Sequence, residues 1–275
     1  MRRHLQGIDH VVVVVRDLDK AQQAYARMGF TLTPRGFHTL GSQNHCLMFA
    51  SDYVELLAVP RPHPATQSFT DYLAKGEGLG AIALATDDAG GLHASLAADG
   101  IAADAPLDFS RPVEGLGDAR FRIVQLPPDA SPGCRVFACQ HFTREVVWRP
   151  QYQHHANGAT EIAAVAVVAE DAEAAAASYA RLLAAKAQKI DEGLLVQTGS
   201  APIAIASRWK LGHRLHGIGL PLRPRPLVAA LFVRVADRAS AAGVLRRNGL
   251  HPIALADGSF AVSAQDAHGV TVVFG

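Results

Sequence analysis

Gly7-Ile8-Asp9-His10-Val11-Val12-Val13-Val14-Val15-Arg16-Asp17-Leu18-Asp19-Lys20-Ala21, continuing through Tyr25 to Met28-Gly29-Phe30, is the stretch that decides how the chain is read. His10 to Val15 is dominated by β-branched residues and predicts a strand. Asp17 can cap a helix, because its side chain accepts from the free N–H groups of the first turn. Leu18, Ala21, Tyr25 and Met28 then recur at three- and four-residue intervals and give that helix one apolar face. Gly29 stands where a left-handed C-cap is needed, and Phe30 opens the next strand.

The same punctuation returns along the chain. Asp88 to Gly100 and Asp237 to Gly249 repeat the twelve-residue spacing of Asp17 to Gly29. Each is preceded by a strand-like run (Ala81 to Thr86, Leu231 to Val235) and followed by an apolar residue (Ile101, Leu250). A degenerate fourth copy has Glu161 to Val168 as strand, Asp171 as cap and the alanine-rich Ala172 to Ala185 as helix, with Leu183 where glycine is expected. Behind each helix lie three short β-rich segments that read as a meander. They are Thr31 to His38, His45 to Phe49 and Tyr53 to Val59 in the first module, and Ala105 to Phe109, Ala119 to Leu126 and Arg135 to Phe142 in the second. The third has Ala187 to Ile190, Leu194 to Thr198 and Ile203 to Ser207; the fourth has His251 to Leu255, Ser259 to Ser263 and Val270 to Phe274. Four βαβββ modules make an α+β plan.

With 275 residues, 49% hydrophobic and 19% charged, the chain can bury a large core and favours two domains, here 1–150 and 151–275. Net charges near −2 and +3 on those halves give nucleic acid no strong field to bind. The apolar run Val11 to Val15 is far too short for a membrane helix or a signal segment, so a cytoplasmic location is expected. Cys46, Cys134 and Cys139 form no CxxC pair, which argues against a disulfide framework or zinc finger. Ser207 to Pro226 carries Arg208, Lys210, Arg214, Arg223 and Arg225 without an acid; it reads as a solvated proline-containing linker or as an anion-binding or interdomain surface. Trp148 and Trp209 read as packing residues at module junctions. His154, His155, His213 and His216 show no spacing that ties them to another ligand.

The opening stretch, together with Tyr53-Val54-Glu55-Leu56-Leu57, resembles the glyoxalase-like domains of the vicinal-oxygen-chelate superfamily, which includes glyoxalases, bleomycin-resistance proteins and extradiol dioxygenases. The resemblance implies two tandem glyoxalase-like domains, each pairing two modules whose curled, mostly antiparallel sheets surround a cavity. It also implies metal ligands on the first and fourth strands of each module. His10 and Glu55 match those positions in the first module. The corresponding first-strand residues of the other three are Ala81, Ala164 and Ala230, and Val273 stands where the last module's Glu would be. Any chemistry therefore belongs to the N-terminal pair, and a structural or dimerising role suits the C-terminal one.

His141 shares a strand face with Phe137 and Cys139 and is the candidate third ligand, with Glu145 as its alternative. His10, Glu55 and His141 would form a two-histidine, one-carboxylate set suited to Zn, Ni, Mn or Fe. Glu55 in an apolar strand is costly to bury unpaired, so it should face a partner or a wet cavity, and it doubles as the candidate catalytic carboxylate. Asn44 either orients a substrate carbonyl or serves a turn. Arg111 and Arg120 flank Pro112 to Ala119, read as a loop at the cavity mouth, where arginine would suit a substrate carboxylate. Phe137 is a candidate substrate-binding wall, and Cys139 reads as core.

The implied activity is that of a metal-dependent lyase or isomerase acting on a small oxygenated substrate through an enediolate-type intermediate. The alternatives are a metal-free small-molecule binding protein of the bleomycin-resistance type and an extradiol-type dioxygenase. The expected partner is a small molecule, not nucleic acid or membrane, and a homodimer stays open.

Overall fold

The computed structural model describes residues 2–215, 218–221, 223–224 and 226–275, so His216 and Arg225 lie outside the described residues. The first half runs β1 (Leu5–Val14), α1 (Leu18–Arg27), β2 (Gly36–Phe37), β3 (Gln43–Met48), β4 (Tyr53–Ala58), α2 (Gln67–Ala74), β5 (Gly78–Thr86), α3 (Ala89–Ala98), β6 (Leu107–Val113), β7 (Gly117–Gln125), β8 (Arg135–His141) and α4 (Arg144–Val147). The second runs β9 (Ala159–Val168), α5 (Ala172–Leu183), β10 (Ala187–Ile190), β11 (Gly193–Val196), β12 (Ile203–Ala206), α6 (Arg208–Arg214), β13 (Leu227–Val235), α7 (Arg238–Arg247), β14 (Ile253–Ala254), β15 (Phe260–Val262) and β16 (Thr271–Phe274).

The strands form two eight-stranded sheets, ordered β2-β3-β4-β1-β5-β8-β7-β6 and β10-β11-β12-β9-β13-β16-β15-β14. In each module the first strand pairs in parallel with the last, as β1 does with β4 and β13 with β16. The two modules of a sheet join through antiparallel first strands, β1 with β5 and β9 with β13. The first sheet nearly closes, since the Thr39 N–H at its β2 end donates to the carbonyl of Ser110 in β6 at 3.1 Å.

The caps behave as the aspartates predict. Asp17 accepts from the N–H groups of Asp19 and Lys20, Asp88 from Gly91, Asp171 from Ala174 and Asp237 from Ser240. At the other ends Gly29, Gly100 and Gly249 have positive φ. In the third module the helix runs through Leu183, and the next residue, Ala184, takes the left-handed position at φ 46°.

Three short helices depart from the sequence reading. They are α2, α4 and α6, of eight, four and seven residues, too short to show a helical period. The basic stretch begins with α6, so it is not simply a solvated linker. Its Leu211 is buried in an apolar cluster on the second sheet, with Ala166, Ala230 and Val273. Arg223 in the same stretch donates to the carbonyls of Glu77 and Tyr72, which makes it a contact between the two halves. Trp209 is 75% exposed and does not serve as packing. Thr31 to His38 shrinks to the two residues of β2; Thr33 is nevertheless tied to β3, its N–H and side-chain oxygen both bonding Cys46.

One large core joins both halves, drawing Val11, Tyr25 and Leu56 together with Val165, Tyr179 and Leu231. The opposite face of the first sheet carries a separate cluster that includes Val12, Val14, Phe121 and Phe137. The cavity lined by His10 and Glu55 is on that side. Among the described residues no helix is long and apolar enough to cross a membrane.

Candidate active site

Alternation along β1, β3 and β4 sends His10, Asn44, Cys46, Tyr53, Glu55 and Leu57 to the concave side of the first sheet, where they line a cavity of about 70 Å³. Phe137 on β8 and Arg111 on β6 complete its walls, with His38, Phe69, Phe109, Phe121 and Arg135. His10 stacks on Tyr53, with ring centroids 4.3 Å apart, and meets Phe137 edge-on at 5.6 Å.

Asp9 is the site residue that the sequence reading missed. Strict alternation would put it on the opposite face from His10. The register of β1 against β5 shifts between Ile8 and His10, and such an irregularity can re-aim a side chain. Asp9 Oδ2 consequently lies 2.6 Å from His10 Nδ1 and 3.0 Å from His141 Nε2. Burial alone would raise its pKa, but the charge of His141 and the hydrogen bonds from both imidazoles hold it well below the usual carboxylate range. An ionised Asp9 can only accept, so both rings donate to it, from His10 Nδ1 and His141 Nε2, which leaves His10 Nε2 and His141 Nδ1 facing elsewhere.

Those two ring nitrogens have different surroundings. His10 Nε2 faces Glu55 Oε2 at 3.7 Å, whereas His141 Nδ1 is buried without a hydrogen-bond partner. His141 also sits edge-on to Phe121 and Trp148. Glu55 Oε1 accepts from Asn44 Nδ2 at 2.6 Å and stands 3.9 Å from His38 Nε2. Asn44 is therefore a strand residue that positions Glu55, not a turn residue, and its own Oδ1 is buried without a partner. Burial pulls His38 down to about 4, against the raising effect of Glu55, so its ring is neutral at pH 7.

The two candidate arginines part company. Ser110 pairs with Arg120 and Arg111 with Ala119, so both arginines lie on a β6–β7 hairpin and not on a loop at the cavity mouth. Arg111 is buried in the cavity wall, its Nε has no partner, and no hydrogen bond or ion pair ties its side chain to a described residue. Arg120 is exposed and lines a separate surface groove. Gly36 makes the approach of Arg111 to Asn44 feasible: a Cβ there would stand 2.3 Å from Asn44 Oδ1 and 2.5 Å from Arg111 Cδ.

Beside Glu55 the structure brings together two of the three candidate ligands, His10 and Glu55; His141 turns its Nε2 to Asp9 and groups with Asp9 and Cys139 instead. Two atoms able to ligate, His10 Nε2 and Glu55 Oε2, face each other. Their 3.7 Å separation is slightly wider than the roughly 3.0–3.4 Å between neighbouring ligands of an ion with bonds of about 2.1 Å. Asp9 supplies the outer carboxylate that fixes the tautomer of a ligating histidine. A second grouping, Asp9, Cys139 and His141, has its ligand atoms within 4.8 Å of one another. There the Asp9 oxygen already accepts two hydrogen bonds, and burial pushes the Cys139 thiol well above its ordinary value.

Paired βαβββ modules around such a cavity define the vicinal-oxygen-chelate superfamily. Residues 8–183 match the glyoxalase-like domain family, and the chain belongs to it. No curated protein sequence matches it closely. Among solved structures, a hypothetical protein from Staphylococcus aureus superposes with TM-score 0.71 at 12% identity, covering 98% of each chain. A mutant 4-hydroxymandelate synthase from Streptomyces coelicolor gives 0.64 at 13% identity, covering 100% of this chain and 92% of that one. The Mn(II)-bound glyoxalase from Novosphingobium aromaticivorans gives 0.60 at 15% identity, covering 98% and 82%. At these identities the likeness is one of fold.

Proposed function

We propose that the protein is a metal-dependent lyase or isomerase of the glyoxalase type, acting on a small oxygenated acid in the cavity of its first sheet. The observation that carries this reading is the buried Asp9–His10–Glu55 alignment, in which an oriented imidazole nitrogen and a carboxylate oxygen face each other at 3.7 Å. His10 and Glu55 would hold the metal. A divalent ion there supplies Lewis-acid polarisation of a substrate carbonyl.

The remaining roles belong to the chain's own side chains. Glu55 is the carboxylate placed to take a proton from the carbon beside that carbonyl and return it, which is what an enediolate-type isomerisation requires. Asn44 fixes one of its oxygens and leaves the other toward His10. Arg111, buried and unpaired, offers a planar fork to a substrate carboxylate. Phe137 and Tyr53 wall the space with aromatic surface.

Thermal unfolding with and without added Mn, Zn, Ni or Fe(II) tests the reading. A ligand at one hundred times its Kd stabilises by about 2.7 kcal/mol. At least one ion should raise the wild-type Tm by several degrees, and none should raise that of His10→Ala or Glu55→Ala. If no ion raises the wild-type Tm, the protein is instead a metal-free binder of the bleomycin-resistance type.

A further inference from the structure

Arg135, the first residue of β8, lies apart from the Asp9–His10–Glu55 cluster. Its partner in β5 is Ala81, which pairs with Val12 of β1, which in turn pairs with Glu55 of β4. Arg135 and Glu55 thus share one row of the sheet, three interstrand steps apart, about 14 Å along the curved surface and less across its concavity. Both line the same cavity.

The guanidinium packs 4.6 Å from the Phe69 ring centroid and 5.3 Å from that of Phe137. Nη1 lies 3.1 Å from Ser68 Oγ and 3.5 Å from the Ala65 carbonyl, while Nε is buried without a partner. No carboxylate of a described residue comes within ion-pair distance. Burial pulls its pKa down to about 10, which leaves it cationic at neutral pH. The cavity wall therefore holds two guanidiniums with no carboxylate at ion-pair distance, Arg111 and Arg135, beside the carboxylate of Glu55, while Asp104 attracts Arg135 from further off. Arg111 is buried and Arg135 part-buried, and charge withdrawn from water in this way is costly unless an opposite charge meets it.

We propose that the cavity takes a small dianion, one carboxylate on Arg111 and the other on Arg135, with its apolar middle against Phe69, Phe121 and Phe137. This rests on the reading of the cavity as a substrate site and adds the substrate class, a short-chain dicarboxylate. Arg135 is a specificity determinant; the reacting end of the molecule lies with Arg111 and Glu55.

Calorimetric titration with malonate, succinate and glutarate, against butyrate as the monoacid, decides the matter. One diacid should bind the wild type at least tenfold more tightly than butyrate. Arg135→Met, which keeps an apolar stem under Phe69, should bring that diacid to butyrate's level without changing butyrate itself, and Arg135→Lys should keep part of the preference. Arg111→Met should weaken both classes. A purely structural Arg135 would lower the Tm of Arg135→Met and leave the diacid-to-monoacid ratio intact, which overturns the proposal. Equal wild-type affinities for diacids and butyrate, or no binding of either, also overturn it. Elemental analysis of the same preparations reports the metal reading separately, so either idea can fail alone.

Discussion

His38 stands beside Glu55 with its ring nitrogens between Ser42 and Asn44. Burial lowers its pKa from the ordinary 6.5 to about 4. Between those values the unfolded chain binds a proton that the folded one refuses, so stability falls as pH drops from 6.5 to 4, by the order of 3 kcal/mol. Chemical denaturation at pH 7 and pH 5 should show about 2 kcal/mol of this loss in the wild type and a clearly smaller one in His38→Gln. An equal loss in both would mean that His38 does not titrate in this way. At this scale the sequence was half legible. His10 and Glu55 stood out because a histidine and a glutamate in apolar strands need a reason. Asp9 and His38 did not: the first depends on a register shift and the second on the fold of the β2 segment, and neither leaves a periodic signal. Arg111 was visible as chemistry but misplaced on a loop, because Pro112 and the glycines after it imitate a turn.

The helices were legible because cap chemistry is local. An aspartate followed twelve residues later by glycine encodes both ends of a three-turn helix without help from the rest of the fold. The exception is α5, where Ala184 occupies a left-handed position that costs an L-residue roughly 1–2 kcal/mol. Ala184→Gly should therefore stabilise the protein, by about 0.5–1 kcal/mol after the greater backbone freedom of glycine in the unfolded chain is counted. A rise in the denaturation midpoint with unchanged slope would show this; a fall would mean that the Ala184 methyl makes a packing contribution larger than the strain. The short helices stayed hidden for the converse reason, since fewer than three turns give periodicity little to act on. Among them, α2 contributes Phe69 to the cavity wall and α6 buries Leu211 against the second sheet.

Across the whole molecule, the two sheets repeat one topology and diverge in what their concave faces carry. The first holds Asp9, His10, Glu55 and Arg111; the second has Ala166, Ala230 and Val273 packed with Leu211. They are joined by one core and by buried polar links such as Asp52, which accepts from the N–H of Ile162 in β9. Burial raises the Asp52 carboxyl from 3.8 to about 7. The folded protein therefore holds a proton there that the unfolded chain has released, and this contribution is lost as pH rises from 3.8 through 7. Asp52→Asn keeps the accepting oxygen and removes the charge, so its Tm relative to wild type should be higher at pH 8 than at pH 5. An offset that does not change with pH would show that Asp52 is not the group responsible.

The central claim is that His10 and Glu55 form a metal centre in the first sheet. Elemental analysis of untagged protein measures it most directly. The account predicts close to one divalent ion per chain in the wild type and in Cys139→Ser, and none in His10→Ala or Glu55→Ala. Metal-free wild type, or metal that survives both substitutions and disappears in Cys139→Ser, would contradict it.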